Sequence, residues 1–336
     1  MKLSVLDQSP IRRGGTPAQA IAETIELAQL CDRLGYHRYW VAEHHSSEGL
    51  AGAAPEILIT RLGSVTKGLR IGSGGVMLSH YSALKVAEQF RMLETLYPGR
   101  IDLGIGRAPG SDYVTARALA HGPGALGIDE FPRQIQDLLA YLRDQIPDGH
   151  AFAGVSAQPR GATMPEPWLL GSSDQSALYA AYFGCAFSFA HFITDRMGPE
   201  IMATYRANFR PSIWGDQPHG SIGVAVICAE TNEEADRLAK SRDLSRLRLE
   251  QGAQGPVPSV EEAEAHRYTH EEQLRVAHNR QRQVIGDPAR CKEQLLALAE
   301  RYGIDELVAV TITYDFAARK RSYELLAKEF DLEARS

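Results

Sequence analysis

Two adjacent histidines close an apolar run. In YWVAEHHSSEGLAG (39–52) the stretch Tyr39–Ala42 gives way to Glu43, His44 and His45, and small loop-forming residues follow. A histidine near its ordinary pKa of about 6.5 holds or releases a proton around neutral pH, so His44 is a candidate catalytic acid or base. A metal ligand is the second reading. Neighbours on a strand point to opposite sides, so His44 and His45 are poor joint ligands for one ion, and no metal is expected. A polar strand cap is the third. A second cluster suits an anion. Arg107 follows Gly104-Ile105-Gly106, and GSSDQSA sets Gly171, Ser172 and Ser173 before a helix that carries Ser176. Backbone N–H groups at a helix start, serine hydroxyls and a guanidinium together bind a phosphate. The plainer reading is an N-cap serine and an arginine paired with a carboxylate. His191, in FAHF, ends another apolar run.

These residues need elements that bring them together, and the chain supplies a regular alternation. Strand-like runs fall at Lys2–Leu6, Arg38–Ala42, Leu69–Val76, Arg100–Ile105, 167–171, 185–192, 220–230 and Glu306–Thr313. Helix-like segments separate them. The first has Thr16 as cap, Pro17 in its first turn, Gln19 completing a capping box and Gly35 as its stop. Eight strands alternating with helices predict a parallel sheet with helical crossovers, an α/β (β/α)8 TIM barrel. An open doubly wound sheet is the alternative. A barrel keeps its chemistry at the C-terminal ends of its strands, where the residues singled out above stand. Two stretches exceed plain connections: the Gly- and Pro-rich 107–130 after the fourth strand and the polar 251–283 after the seventh. The chain, 1–336, reads as one such domain.

A net charge of −6 over 336 residues gives no electrostatic reason to expect nucleic acid or an anionic membrane. No run approaches the ~18 consecutive apolar residues of a membrane span. The dispersed cysteines Cys31, Cys185, Cys228 and Cys291 read as reduced thiols, and with no signal-peptide pattern a cytoplasmic protein is expected. In the second insertion His266 and His270 have a spacing that suits a metal on one helical face, although a solvated face or lid explains them better.

Four segments carry a family resemblance: WVAEHHSSEGLAGAAPEIL (40–58), LRIGSGGVMLSHYSALKVAEQFRMLETLYPGRIDLGIGRAPG (69–110), LLGSSDQSALYAAYFG (169–184) and IGDPARCKEQLLALAERYGIDELVAV (285–310). Over nearly its whole length the chain resembles the bacterial luciferase-like, flavin-dependent monooxygenases, most of all the single-chain alkanal-monooxygenase-like subgroup. The resemblance implies FMN as cofactor, arriving as FMNH2 from a separate flavin reductase. It implies oxidation of a small organic substrate, an aldehyde among the candidates, by O2 through a C4a-peroxyflavin. It also implies roles. His44 matches the catalytic histidine. Gly74-Gly75 matches a non-prolyl cis peptide against the flavin ring. Arg107, with Gly171, Ser172, Ser173 and Ser176, would hold the phosphate, and His191 would line the same pocket. Tyr113 and Thr115 would either cover the flavin or lie on a surface loop. A homodimer through the second and third helices is implied, with Ala87, Phe90 and Leu93 facing either the partner or the barrel. Gly106 stands where the light-emitting subunit carries a reactive cysteine, which argues against bioluminescence. Two rival functions remain: a deazaflavin-dependent hydride-transfer oxidoreductase and a non-catalytic flavin-binding protein.

Overall fold

In the computed structural model, which describes residues 1–108, 110–120 and 128–335, Thr16 caps the first helix as its type predicts. Its hydroxyl accepts from the Gln19 N–H at 3.2 Å, and the Gln19 side chain accepts from the Thr16 N–H at 2.9 Å. The helix runs Pro17–Arg33 and stops before Gly35, whose φ of +88° few side-chain-bearing residues adopt. Pro109 and 121–127, inside the first expected insertion, lie outside the described residues.

The strands are β1 (Lys2–Asp7), β2 (Arg38–Val41), β3 (Arg70–Ser73), β4 (Val76–Met77), β5 (Ile101–Gly106), β6 (Glu166–Gly171), β7 (Ala186–Phe189), β8 (Gly220–Cys228), β9 (Gln283–Gly286) and β10 (Glu306–Val310). All pairings between them are parallel. β10 pairs with β1 on one side and β8 on the other, so the sheet closes into an eight-staved barrel. This excludes the open sheet. Two details differ from expectation. The third stave is broken into β3 and β4, both paired to β5. β9 is a strand not expected from the sequence; it pairs with Ala225–Cys228 of β8, beyond the Gly220–Ile222 stretch that β7 uses. Four residues give little alternation to detect. The 251–283 segment contains helices Val260–Ala265 and His270–Arg280, tied to the Asn232–Glu250 helix by Arg248–Glu262 (2.7 Å) and Arg275–Glu250 (2.6 Å). His266 caps the first of these helices and His270 opens the second, so the two do not share a helical face. Ala87, Phe90 and Leu93 are buried toward the barrel.

Side chains alternate across each stave, and the inward ones form layers. In the middle layer Leu6, Trp40, Trp168 and Val308 pack together, the two indoles edge to face at 5.1 Å. At the floor lie charges. Arg38, 2% exposed, donates to Asp102 and Glu306 at 2.9 Å each and to Glu166 at 3.3 Å. Arg70 adds a second guanidinium on Asp102 at 2.5 Å. His219 Nε2 lies 3.1 Å from Glu306. Burial works against a charged His219, but Glu166 and Glu306 outweigh it and raise its pKa to about 9. At pH 7 the floor therefore balances Asp102, Glu166 and Glu306 against Arg38, Arg70 and a protonated His219. Among the described residues no helix is long and apolar enough to cross a membrane.

Removing one partner from a buried ion network leaves its charges uncompensated. Arg38→Met is expected to lower the unfolding free energy by about 3–5 kcal/mol in urea titrations. His219 supplies a pH signature. Its pKa is raised from 6.5 to about 9, so its stabilisation is complete below pH 6.5 and disappears as pH rises through 9. His219→Gln should flatten the stability profile between those limits.

Candidate active site

β2 sets the position of His44. Arg38, Trp40 and Ala42 face the barrel interior, whereas Tyr39 and Val41 pack outward under the helices. Continuing that alternation past the strand end carries His44 over the barrel mouth and Glu43 outward. Glu43, 1% exposed, accepts from the Tyr81 hydroxyl at 2.6 Å and the Met77 N–H at 3.0 Å, and its Oε1 lies 2.7 Å from His45 Nε2. Glu43 thus orients His45, not His44. The His44 N–H donates to the Gly52 carbonyl at 2.8 Å, but its buried Nδ1 has no hydrogen-bond partner among the described residues. Burial, with His45 adding to it, pushes the His44 pKa down to about 4, so the ring is neutral at pH 7.

A cavity of about 360 Å³ opens over His44. Its walls come from several strand ends: Gln8 after β1, His44 and His45 after β2, Phe192 after β7 and Ile312 after β10. A face of the Asn232–Glu250 helix completes it, with Arg242, Ser245, Arg246 and Leu249 at i, i+3, i+4 and i+7.

On the adjoining side of the mouth, the peptide between Gly74 and Gly75 is cis. It falls where Gly72–Val76 spans only Asp102–Ile105 of β5, one residue more than the partner offers, a bulge. Side chains have no room there: a Cβ on Gly75 would lie 2.7 Å from the Gly104 carbonyl oxygen, and one on Gly74 would lie 2.4 Å from Leu6.

Next around the mouth stands Arg107, which donates to the Gln175 side-chain oxygen. Gln175 belongs to the first turn of the helix Asp174–Phe183, capped by Ser173. The Ser173 hydroxyl accepts from the Ser176 N–H at 3.3 Å and lies 3.0 Å from the Ser176 hydroxyl. Ser173 is therefore the N-cap of the plain reading. The other half of that reading fails: among the described residues no carboxylate pairs with Arg107. Ser172 precedes the cap, so its four-residue spacing from Ser176 is not a helical one. Ser176 instead lies against Gly171, where a Cβ would come within 2.3 Å of its hydroxyl.

The structure brings His44, Gly74 and Gly75 to one mouth and gathers Arg107 with 171–176. It does not put Arg107, Gly171, Ser172, Ser173 or Ser176 on the walls of the His44 cavity; they stand beside it, beyond β5 and β6. His191 is a correction. Its ring turns away to Tyr302, Nδ1 2.9 Å from the hydroxyl, and it lines a separate cleft of about 540 Å³. Phe192 and Ile193, in the turn that follows β7, line the His44 cavity instead. Tyr113 and Thr115 lie not on a loop but in a short helix, Tyr113–Leu119, capped by Asp112; Thr115 spends its hydroxyl on Asp112 at 2.6 Å, and Tyr113 is 76% exposed. Arg242 was missed because its helix reads as uniformly charged.

The chain matches the family model described as luciferase-like monooxygenase over residues 1–306. It is 37% identical over 329 residues to the N-acetyl-S-alkylcysteine monooxygenase of Bacillus subtilis (strain 168), covering 97% of each chain. The crystal structure of apo-MsnO8 is 41% identical with a TM-score of 0.88, covering 99% of each chain. The FMN complex of the oxygenating constituent of 3,6-diketocamphane monooxygenase from Pseudomonas putida shares the fold at a TM-score of 0.72 and 21% identity, over 98% of this chain and 97% of that one.

The depressed pKa of His44 has a stability consequence with a fixed sign. An unfolded histidine takes up its proton near 6.5, the folded one near 4, so the folded state loses ground as pH falls between them. His44→Gln should make the unfolding free energy less acid-sensitive across that interval, by roughly 1–3 kcal/mol at its lower end. Denaturant titrations in steps from neutral to acid read this directly.

Proposed function

Because this chain belongs to the luciferase-like monooxygenase family, we propose that it uses reduced FMN and O2 to oxidise a small organic substrate. The observation that carries the cofactor reading is Arg107, a guanidinium without a carboxylate, held by Gln175 at the first turn of the Asp174–Phe183 helix. A guanidinium with no carboxylate partner, the positive end of a helix and serine hydroxyls form the donor set a phosphate monoester needs. The Gly74–Gly75 backbone, kept bare of side chains, offers a surface for a flat ring. The orphaned Nδ1 of His44 asks for a partner that the protein does not provide. These residues fit FMN.

When bound, reduced flavin supplies the electrons that activate oxygen. The protein's own residues bind, orient and exclude water. Arg107 and Gly171, Ser172, Ser173 and Ser176 hold the phosphate. His44, neutral and buried, offers one ring nitrogen as donor and the other as acceptor at the reacting end of the cavity. Phe192 and Ile312 supply apolar wall that keeps water out. The reduced cofactor comes from a separate reductase in this reading. A homodimer fits the exposed Ile57 (70%) and Met92 (51%) beside a groove of about 880 Å³ between helices Pro55–Val65 and Ala83–Leu96. An aldehyde and a thioether are both candidate substrates.

The test is oxygen uptake with an enzymatic FMNH2 supply and labelled O2. One labelled atom should enter product, and His44→Ala should lower turnover about 100-fold or more while FMN affinity changes by less than about threefold. Hydride transfer with a deazaflavin and no oxygen uptake would favour the rival enzyme class. Flavin binding without turnover in any substrate series, and no effect of His44→Ala on oxygen uptake, would leave only a binding protein.

A further inference from the structure

The wall opposite the strand ends carries a cation that neither the Arg107 cluster nor His44 engages. Arg242, on the Asn232–Glu250 helix, lines the His44 cavity, and among the described residues its guanidinium has no hydrogen bond or ion pair. Its helix neighbour Asp243 is engaged elsewhere, accepting from Arg280 at 2.7 Å. Arg246, on the same cavity face, is neutralised by Glu250 at 2.8 Å. Arg282 is bonded to the Ile193 carbonyl and the Asn279 side chain, both at 2.5 Å. The described cavity wall includes no Asp or Glu. Asp243 acts on Arg242 through space but makes no bond to it, and a shielded cation with no bonded counter-charge is costly unless a ligand provides one. Burial pushes the Arg242 pKa down to about 10, which leaves it charged at neutral pH.

Resting on the monooxygenase reading above, we infer that Arg242 is the counter-charge for a carboxylate on the substrate. The substrate class is then an apolar organic acid, not a neutral chain. A planar guanidinium takes a carboxylate through two parallel N–H···O bonds. Leu50, Phe192, Ile193, Leu249, Val257 and Ile312 give the rest of the molecule an apolar bed. Two sources of negative charge compete for Arg242: a substrate carboxylate and the cofactor. The cofactor phosphate has its own donors at Arg107, outside this cavity, so the carboxylate is the assigned source.

The experiment measures binding by calorimetry, using octanoate, octanamide and octanal as probes of equal chain length, and FMN separately. Wild-type protein should bind octanoate about tenfold or more tightly than either neutral probe, and Arg242→Met should erase that preference. Arg242→Met should fold with an unchanged or higher Tm, because it removes an unpaired charge, and Arg242→Lys should retain part of the preference. FMN affinity should stay within about threefold in Arg242→Met. Equal binding of the three probes, or an octanoate preference that survives Arg242→Met, overturns the assignment. So does a tenfold loss of FMN affinity in Arg242→Met, which would give the cation to the cofactor. If wild-type protein binds no FMN, the monooxygenase reading fails on its own, whatever the probes do.

Discussion

Arg38 reaches from β2 across the barrel floor to carboxylates that begin β5, β6 and β10. With β1 hydrogen-bonded to β10, and β10 to β8, these contacts hold the N-terminal ends of the staves in one register. Parallel closure then leaves every C-terminal end at the opposite mouth. The cost of burying so many charges is offset by mutual pairing and by further donors: Ser4 on Glu306 at 2.7 Å, and Trp40 on Asp102 at 2.9 Å. The same parity that turns Arg38 and Trp40 inward turns His44 inward two steps further on.

The mouth has two neighbouring halves. One holds Arg107 and the Ser173-capped helix start, the other the His44 cavity with Arg242. Between them runs the bulged, side-chain-free Gly74–Gly75 segment. Both halves offer cations without carboxylate partners, in a chain whose net charge is −6. The acidic residues that end β1 and follow β2 are already engaged, Asp7 by Arg319 at 2.7 Å and Glu43 by Tyr81, the Met77 N–H and His45. With those carboxylates engaged, the two cations make the mouth attractive to anions while the molecule as a whole repels them at long range.

Strong local signals were legible. The capping box at Thr16, the order of eight staves, and the strand-end placement of His44 and Arg107 all follow from residue type and spacing. Weak or ambiguous ones were not. β9 is too short to announce itself, and the break between β3 and β4 follows from a pairing register that no single segment contains. His191 and Phe192 are adjacent, and only the end of β7 decides which faces the cavity. Arg242 sits in a helix whose charged residues mask its cavity face, although the spacing of Arg242, Ser245, Arg246 and Leu249 contains it. Side-chain orientation at the end of an element depends on partners distant in sequence, which is why its pattern underdetermines it.

The central claim is that this mouth grips a flavin by its phosphate. Comparing FMN with riboflavin, which lacks only the phosphate, tests it most directly, by fluorescence titration of wild-type protein and Arg107→Ala. The account predicts that wild-type protein prefers FMN by about tenfold or more and that the preference collapses in the variant. Equal affinity for the two flavins in wild-type protein, or a preference that Arg107→Ala leaves intact, would contradict it.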